Sequence, residues 1–136
     1  MTPKPETEAP LAVWAEALYL TNLLLLPGLA FLALLFLWLR HRKRATAVER
    51  MHLYQTLMVS LWGGVAIVTV IAVLLALGGL DSPWTWLWVL LYFTFVHSTL
   101  ILLGIVGLVK AMAGQPWRYP LIGRRAERLA GLDAPS

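Results

Sequence analysis

The chain has 136 residues, 60% of them hydrophobic and only 13% charged, with a net charge of +4 and no cysteine. A soluble domain carries roughly 25% charged residues, and so small a globule has too little interior to hide this apolar excess, so the composition points to a lipid solvent. The missing cysteines exclude disulfides, thiolate metal centres and thiol nucleophiles, while cations gathered at the ends of apolar segments read as topology signals rather than a nucleic-acid face.

Residues 1–11 carry Pro3, Pro5 and Pro10 and no basic stretch before an apolar core, which predicts an extended tail retained in the mature protein. The first apolar run covers 12–39 and stops at Arg40, His41, Arg42, Lys43 and Arg44. It is long enough to span about 30 Å of hydrocarbon with tilt. Pro27 lies near its middle, lacks a backbone donor and is followed by Gly28, so a kink is expected there.

A second helix is expected over 47–77, opened by Thr46 and Glu49 at capping-box spacing and stopped by Gly78 and Gly79. At about 1.5 Å per residue it is overlong for the bilayer, which places Glu49, Arg50, His52 and Gln55 at headgroup level. The third span, 83–113, begins after Asp81 and Ser82 with Pro83 in its first turn. Trp84, Trp86, Trp88 and Tyr92 crowd its entrance as an aromatic belt. Gly114 and Pro116 end it, and the remaining 114–136 form an interfacial tail with a short surface helix near 124–132.

These readings give an all-α integral membrane protein, three spans in one small bundle. The first connection holds Arg40, Arg42, Lys43, Arg44 and Arg50, and the C-terminal segment Lys110, Arg118, Arg124, Arg125 and Arg128. The connection between the second and third spans holds only Asp81. Positive residues stay in the cytoplasm, so the expected topology has the N-terminus outside and the C-terminus cytoplasmic. The membrane is expected to be a bacterial cytoplasmic (inner) one.

Two stretches carry a family resemblance: Glu49, His52 and Gln55 at the start of the second helix, and Lys110, Gly114, Trp117, Arg118, Tyr119 and Pro120 after the third. Together they resemble small bacterial membrane proteins of unknown function related to the Tic-twenty component of the chloroplast import machinery. The resemblance covers about 18–123. It implies the fold and no particular chemistry.

Among single residues, His97 stands out as an ionisable group inside a span. It reads as a neutral imidazole bonded to Thr69 or to carbonyls freed at Pro27, as a proton relay or cofactor ligand, or as a contact with a partner subunit. His52 and His97 differ in depth by about half a bilayer, so one haem cannot take both as axial ligands. Thr21 and Asn22 read as packing glue in the first span. Gly63, Gly64, Gly104 and Gly107 are small enough to let helices two and three approach closely, with Pro27 shaping the first span beside them. Arg40, Arg42, Lys43 and Arg44 can meet anionic lipid heads, and Trp117, Arg118 and Tyr119 look like an interfacial anchor or partner contact. Glu16 is placed at the outer edge of the first span. No phosphate loop, metal-spaced cluster or catalytic triad is visible.

The expectation is therefore a non-catalytic small membrane protein with no resident cofactor or metal, an accessory subunit of a larger complex. Its partners are the bilayer and other membrane subunits or further copies of itself, and not nucleic acid. An oligomeric translocation or conducting module, and a haem-, carotenoid- or quinone-binding subunit, stand as alternatives.

Overall fold

The computed structural model describes residues 9–131 and contains five helices, with no strand among the described residues. They are α1 (Pro10–Leu24), α2 (Leu29–His41), α3 (Ala47–Gly78), α4 (Pro83–Met112) and α5 (Gly123–Ala130). Most of the extended tail expected over 1–11 falls outside the described residues; from Pro10 onward the chain is helical.

α3 begins as its sequence dictates. The Thr46 hydroxyl accepts the Glu49 amide at 3.3 Å, and the Thr46 amide donates to Glu49 Oε2 at 2.9 Å. With 32 residues it is about 48 Å long, and Gly79 at φ 77° ends it. α4, of 30 residues, starts at Pro83 and runs back antiparallel to α3. Thr85 lies against Gly78, the Tyr92 hydroxyl donates to the Ala66 carbonyl at 3.1 Å, and Leu100 covers Gly63. These two helices are long and apolar enough to cross a membrane, and most of their apolar surface is exposed.

The first apolar run departs from expectation. Instead of one kinked helix over 12–39, it forms two helices of 15 and 13 residues folded back on each other. α1 starts beside the start of α3 and the end of α4: the Leu11 amide donates to Glu49 Oε1 at 3.2 Å, and Ala9 and Ala12 pack with Ala111. It then passes His52 and Gly107, Tyr19 reaches Leu100, and its end lies near Ser60, Gly64 and His97. α2 returns along α3, with Phe31 near Ser60 and Gly64, Leu34 packed with Leu57 and Leu53, and Trp38 against Tyr54.

The reversal has a local cause. The amides of Leu25 and Leu26 both turn back to the Thr21 carbonyl, Pro27 has no amide, and the Gly28 amide is captured by Asn22 Oδ1 at 2.9 Å. Gly28 sits at φ 85°, a backbone region that a side chain disfavours. A Pro-Gly pair in a helix can kink it; here the polar cap supplied by Asn22 completes a turn. Two crossing-length helices and a hairpin replace the expected three spans, and the sidedness deduced from three spans loses its basis.

After α4, Gly114 at φ 65° turns the chain, and residues 115–122 cross back over α3 to α5. α5 starts one residue and ends two residues earlier than expected and packs Ala126 and Ala130 onto Met51, with Tyr54 alongside.

Candidate functional site

A polar node forms where α1, α3, α4 and the segment after α4 converge, at the end of the bundle that carries the basic connection. His52 and Glu16 are both fully buried, and His52 Nδ1 lies 2.6 Å from Glu16 Oε1. The other ring nitrogen, Nε2, donates to the Gln115 carbonyl at 2.9 Å. Tyr119 donates its hydroxyl to Glu16 Oε2 at 2.6 Å, across 103 residues of sequence. Because Nε2 faces a carbonyl it must hold a proton, so one further proton is shared between Glu16 Oε1 and His52 Nδ1. Burial, and then the neighbouring Glu16 carboxylate, push the Tyr119 phenol far above its ordinary range, so it stays a donor at neutral pH.

Gln55, also fully buried, reads both edges of the returning chain. Its Nε2 donates to the Trp117 carbonyl at 2.6 Å, and its Oε1 accepts the Tyr119 amide at 2.7 Å. Tyr19 stands edge-on to Tyr119 at 6.0 Å and donates to the Leu100 carbonyl at 3.0 Å. Every polar atom of this centre except the backbone is thus matched from a different segment, which is what a buried polar cluster requires.

The glycines make the node fit. A methyl group on Gly107 would lie 2.5 Å from Glu16 Oε2 and 2.6 Å from the Tyr119 hydroxyl. One on Gly104 would lie 2.6 Å from the Tyr19 ring. These two glycines therefore admit α1, whereas the expectation paired them with helix two. Gly63 does face α4, through Leu100, and Gly64 meets nothing within 4 Å.

His97 is elsewhere. It stacks on Phe93, ring centroids 4.8 Å apart, and among the described residues it makes no hydrogen bond, to Thr69 or otherwise. It lines a cleft of about 260 Å³ under the hairpin tip with Asn22, Pro27 and Ser60, whose buried hydroxyl has no partner. Arg40, Arg42, Lys43 and Arg44 are exposed, with no ion pair among the described residues. Arg118 pairs with Glu127 at 2.5 Å, and Trp117 is half-buried against Tyr119. No group of three or more His, Asp or Glu side chains that could hold a metal ion occurs among the described residues.

In the sequence His52 and Gln55 stand out at headgroup level without partners, and Glu16 is expected at the outer edge of the first span, far from both. The signal for Glu16 was present: it is the one acidic residue inside an otherwise apolar run, and such a residue requires a partner.

Comparison with known proteins changes the family reading. The family model described as "MamF_MmsF: Magnetosome magnetite crystal formation protein family" matches residues 9–126. The chain belongs to that family. The relation to the Tic-twenty import component is not supported, and the translocation module that leaned on it loses its ground. No curated protein and no solved structure matches the chain. The family is one of small magnetosome membrane proteins, named for a part in crystal formation and not for a catalysed reaction.

Proposed function

We propose that this chain is a non-catalytic accessory protein of the membrane that encloses a growing magnetite crystal, held there by α3 and α4. The observation that carries the reading is the coincidence of a family match over residues 9–126 with two helices of crossing length whose apolar flanks are exposed.

The basic residues of 40–44 and of 118–128 gather at one end of the bundle, which supports a cytoplasmic placement of that end. Because α1 begins at that same end, beside Glu49 and Ala111, both ends of the described chain lie on the cytoplasmic side. Among the described residues, the α3–α4 connection, with Gly79 and Asp81, is the part at the opposite end. The exposed cations and the segment around Trp117 then offer the cytoplasmic face to lipid heads and to partner subunits. The protein acts on the crystal through the membrane and the proteins it arranges there.

Deleting the gene from a magnetite-forming bacterium tests this. A shifted distribution of crystal diameters in electron micrographs, restored by the wild-type gene, is the expected result. Unchanged crystals, or a protein that alkaline carbonate strips from membranes, would overturn it. Sidedness has its own test, made clean by the absence of cysteine. Pro10→Cys and Lys43→Cys should react with an impermeant maleimide from one side, and Asp81→Cys from the other.

A further inference from the structure

The number of helices is not the same through the depth of the membrane. Taking Trp86 as the outer boundary of α4, about 30 Å of hydrocarbon ends near Val106, and His97 lies roughly midway. The tip of the α1–α2 hairpin stops at that level, beside Gly64 and His97. The cytoplasmic half of the span therefore contains four helices and the outer half two. With a helix diameter of about 10 Å, that is roughly 320 Å² of protein cross-section against roughly 160 Å².

Several features keep the hairpin at half depth. α1 and α2 are about 22 and 20 Å long, too short to cross. The tip is suited to acyl chains, since Leu24, Leu25, Leu26 and Leu29 are all more than half exposed there. Part of its backbone is satisfied within the turn, because Thr21 and Asn22 take up the amides of Leu25, Leu26 and Gly28. At the other end Arg40, Arg42, Lys43 and Arg44 are exposed at the exit of α2, where each cation near anionic heads adds about 1 kcal/mol. The Glu49, Glu16 and His52 bonds fasten α1 to α3, so the hairpin cannot slide inward alone.

We propose that the α1–α2 hairpin is a one-sided wedge whose partner is the cytoplasmic leaflet of a membrane convex toward the cytoplasm. Resting on the membrane placement argued above, this adds a second activity, the sensing and stabilising of curvature. Protein inserted into a single leaflet widens that leaflet relative to the other, and bending toward the widened side relieves the mismatch. Insertion of this kind is curvature-sensitive for interfacial helices generally. A membrane closing around a crystal on its far side is convex on the cytoplasmic side, the side the wedge occupies.

The test uses the full chain, labelled through Asp81→Cys and reconstituted into giant vesicles of neutral phospholipid with an anionic phospholipid. A narrow membrane tube is drawn from each vesicle, and protein density relative to lipid is compared between tube and vesicle. Molecules with the basic face outward should be enriched in the tube about threefold, and molecules facing inward should be depleted, since only a difference in interaction with the two states shifts the distribution. Equal density in tube and vesicle for both orientations would overturn the wedge. A Leu25→Asp, Leu26→Asp chain should stay integral through α3 and α4 but lose the enrichment, because the tip is drawn out to the headgroups; retained enrichment would also overturn it. Should that variant fail to insert, the two orientations of the wild-type chain decide. Extraction by alkaline carbonate would instead sink the membrane reading itself, so the two failures are distinct.

Discussion

Up to the level of Gly64 and His97, four helices pack together, and α1, α3, α4 and the returning chain share a polar node; beyond it, α3 and α4 run on alone. In that outer stretch no residue of α3 is buried, and α4 buries only Thr85 and Val89. The joints there are few: Thr85 on Gly78, and the Tyr92 bond to Ala66. The inner half holds Glu16, His52, Gln55, Thr56, Tyr19 and Tyr119, all essentially inaccessible. One half is tied together by directional bonds between distant segments, and the other is an antiparallel pair left to the solvent it meets. Apolar surface in lipid gains nothing from burial, so the outer pair requires little cohesion. A carboxylate held in the inner half needs every partner it has.

Breaking the inner node should therefore cost far more than any change in the outer half. Glu16→Ala leaves His52 and Tyr119 facing an empty site and should lower stability by about 3–5 kcal/mol, read from unfolding in mixed micelles. Alkali attacks the same centre. The folded protein holds the Tyr119 proton more tightly than the unfolded chain does, so that contribution is complete below the ordinary phenol pKa near 10 and declines as pH rises above it. The decline should flatten in Tyr119→Phe, and an identical slope in that variant would remove Tyr119 from the account.

Smaller changes sharpen the comparison. Gly107→Ala forces a methyl group against Glu16 and Tyr119 and should cost about 1–3 kcal/mol, whereas Gly64→Ala, with open space before it, should cost none of this. Gln55→Leu strands the Trp117 carbonyl and the Tyr119 amide and should cost about 1–3 kcal/mol. It should also open residues 115–122 to protease, which the outer-half variants should not do. Tyr92→Phe removes one hydrogen bond between outer helices and should change stability by only about 0.6 kcal/mol. A loss there as large as that of Glu16→Ala would erase the distinction between the halves.

The parts of this fold legible in sequence were those written over short distances. Thr46 and Glu49 announced the start of α3 because their bonds span three residues, and both bonds form. Pro83 marked the start of α4, and Gly114 its end. The hairpin was illegible because two short apolar helices joined by Pro27-Gly28 have the combined length of one span. What separates the two outcomes is Asn22, whose cap on Gly28 is visible only once the turn has formed. That error then displaced Glu16 to the opposite membrane face and hid the node. The partners of Glu16 are 36 and 103 residues away, and no periodicity reports such pairings. Gly104 and Gly107 were recognised as points of close approach, but the helix that approaches them, α1, was assigned to another path.

The separation between Glu16 and Tyr119 also orders the life of the chain during synthesis. Glu16 is made early and enters the membrane region with α1, yet its last bond waits for a residue 103 positions later. Until the ribosome has released residues 115–119, the carboxylate and His52 lack the Gln115 carbonyl and the Tyr119 hydroxyl that complete them. A nascent or truncated chain ending before Gln115 would expose that incomplete pair, so the node records whether translation has passed Tyr119.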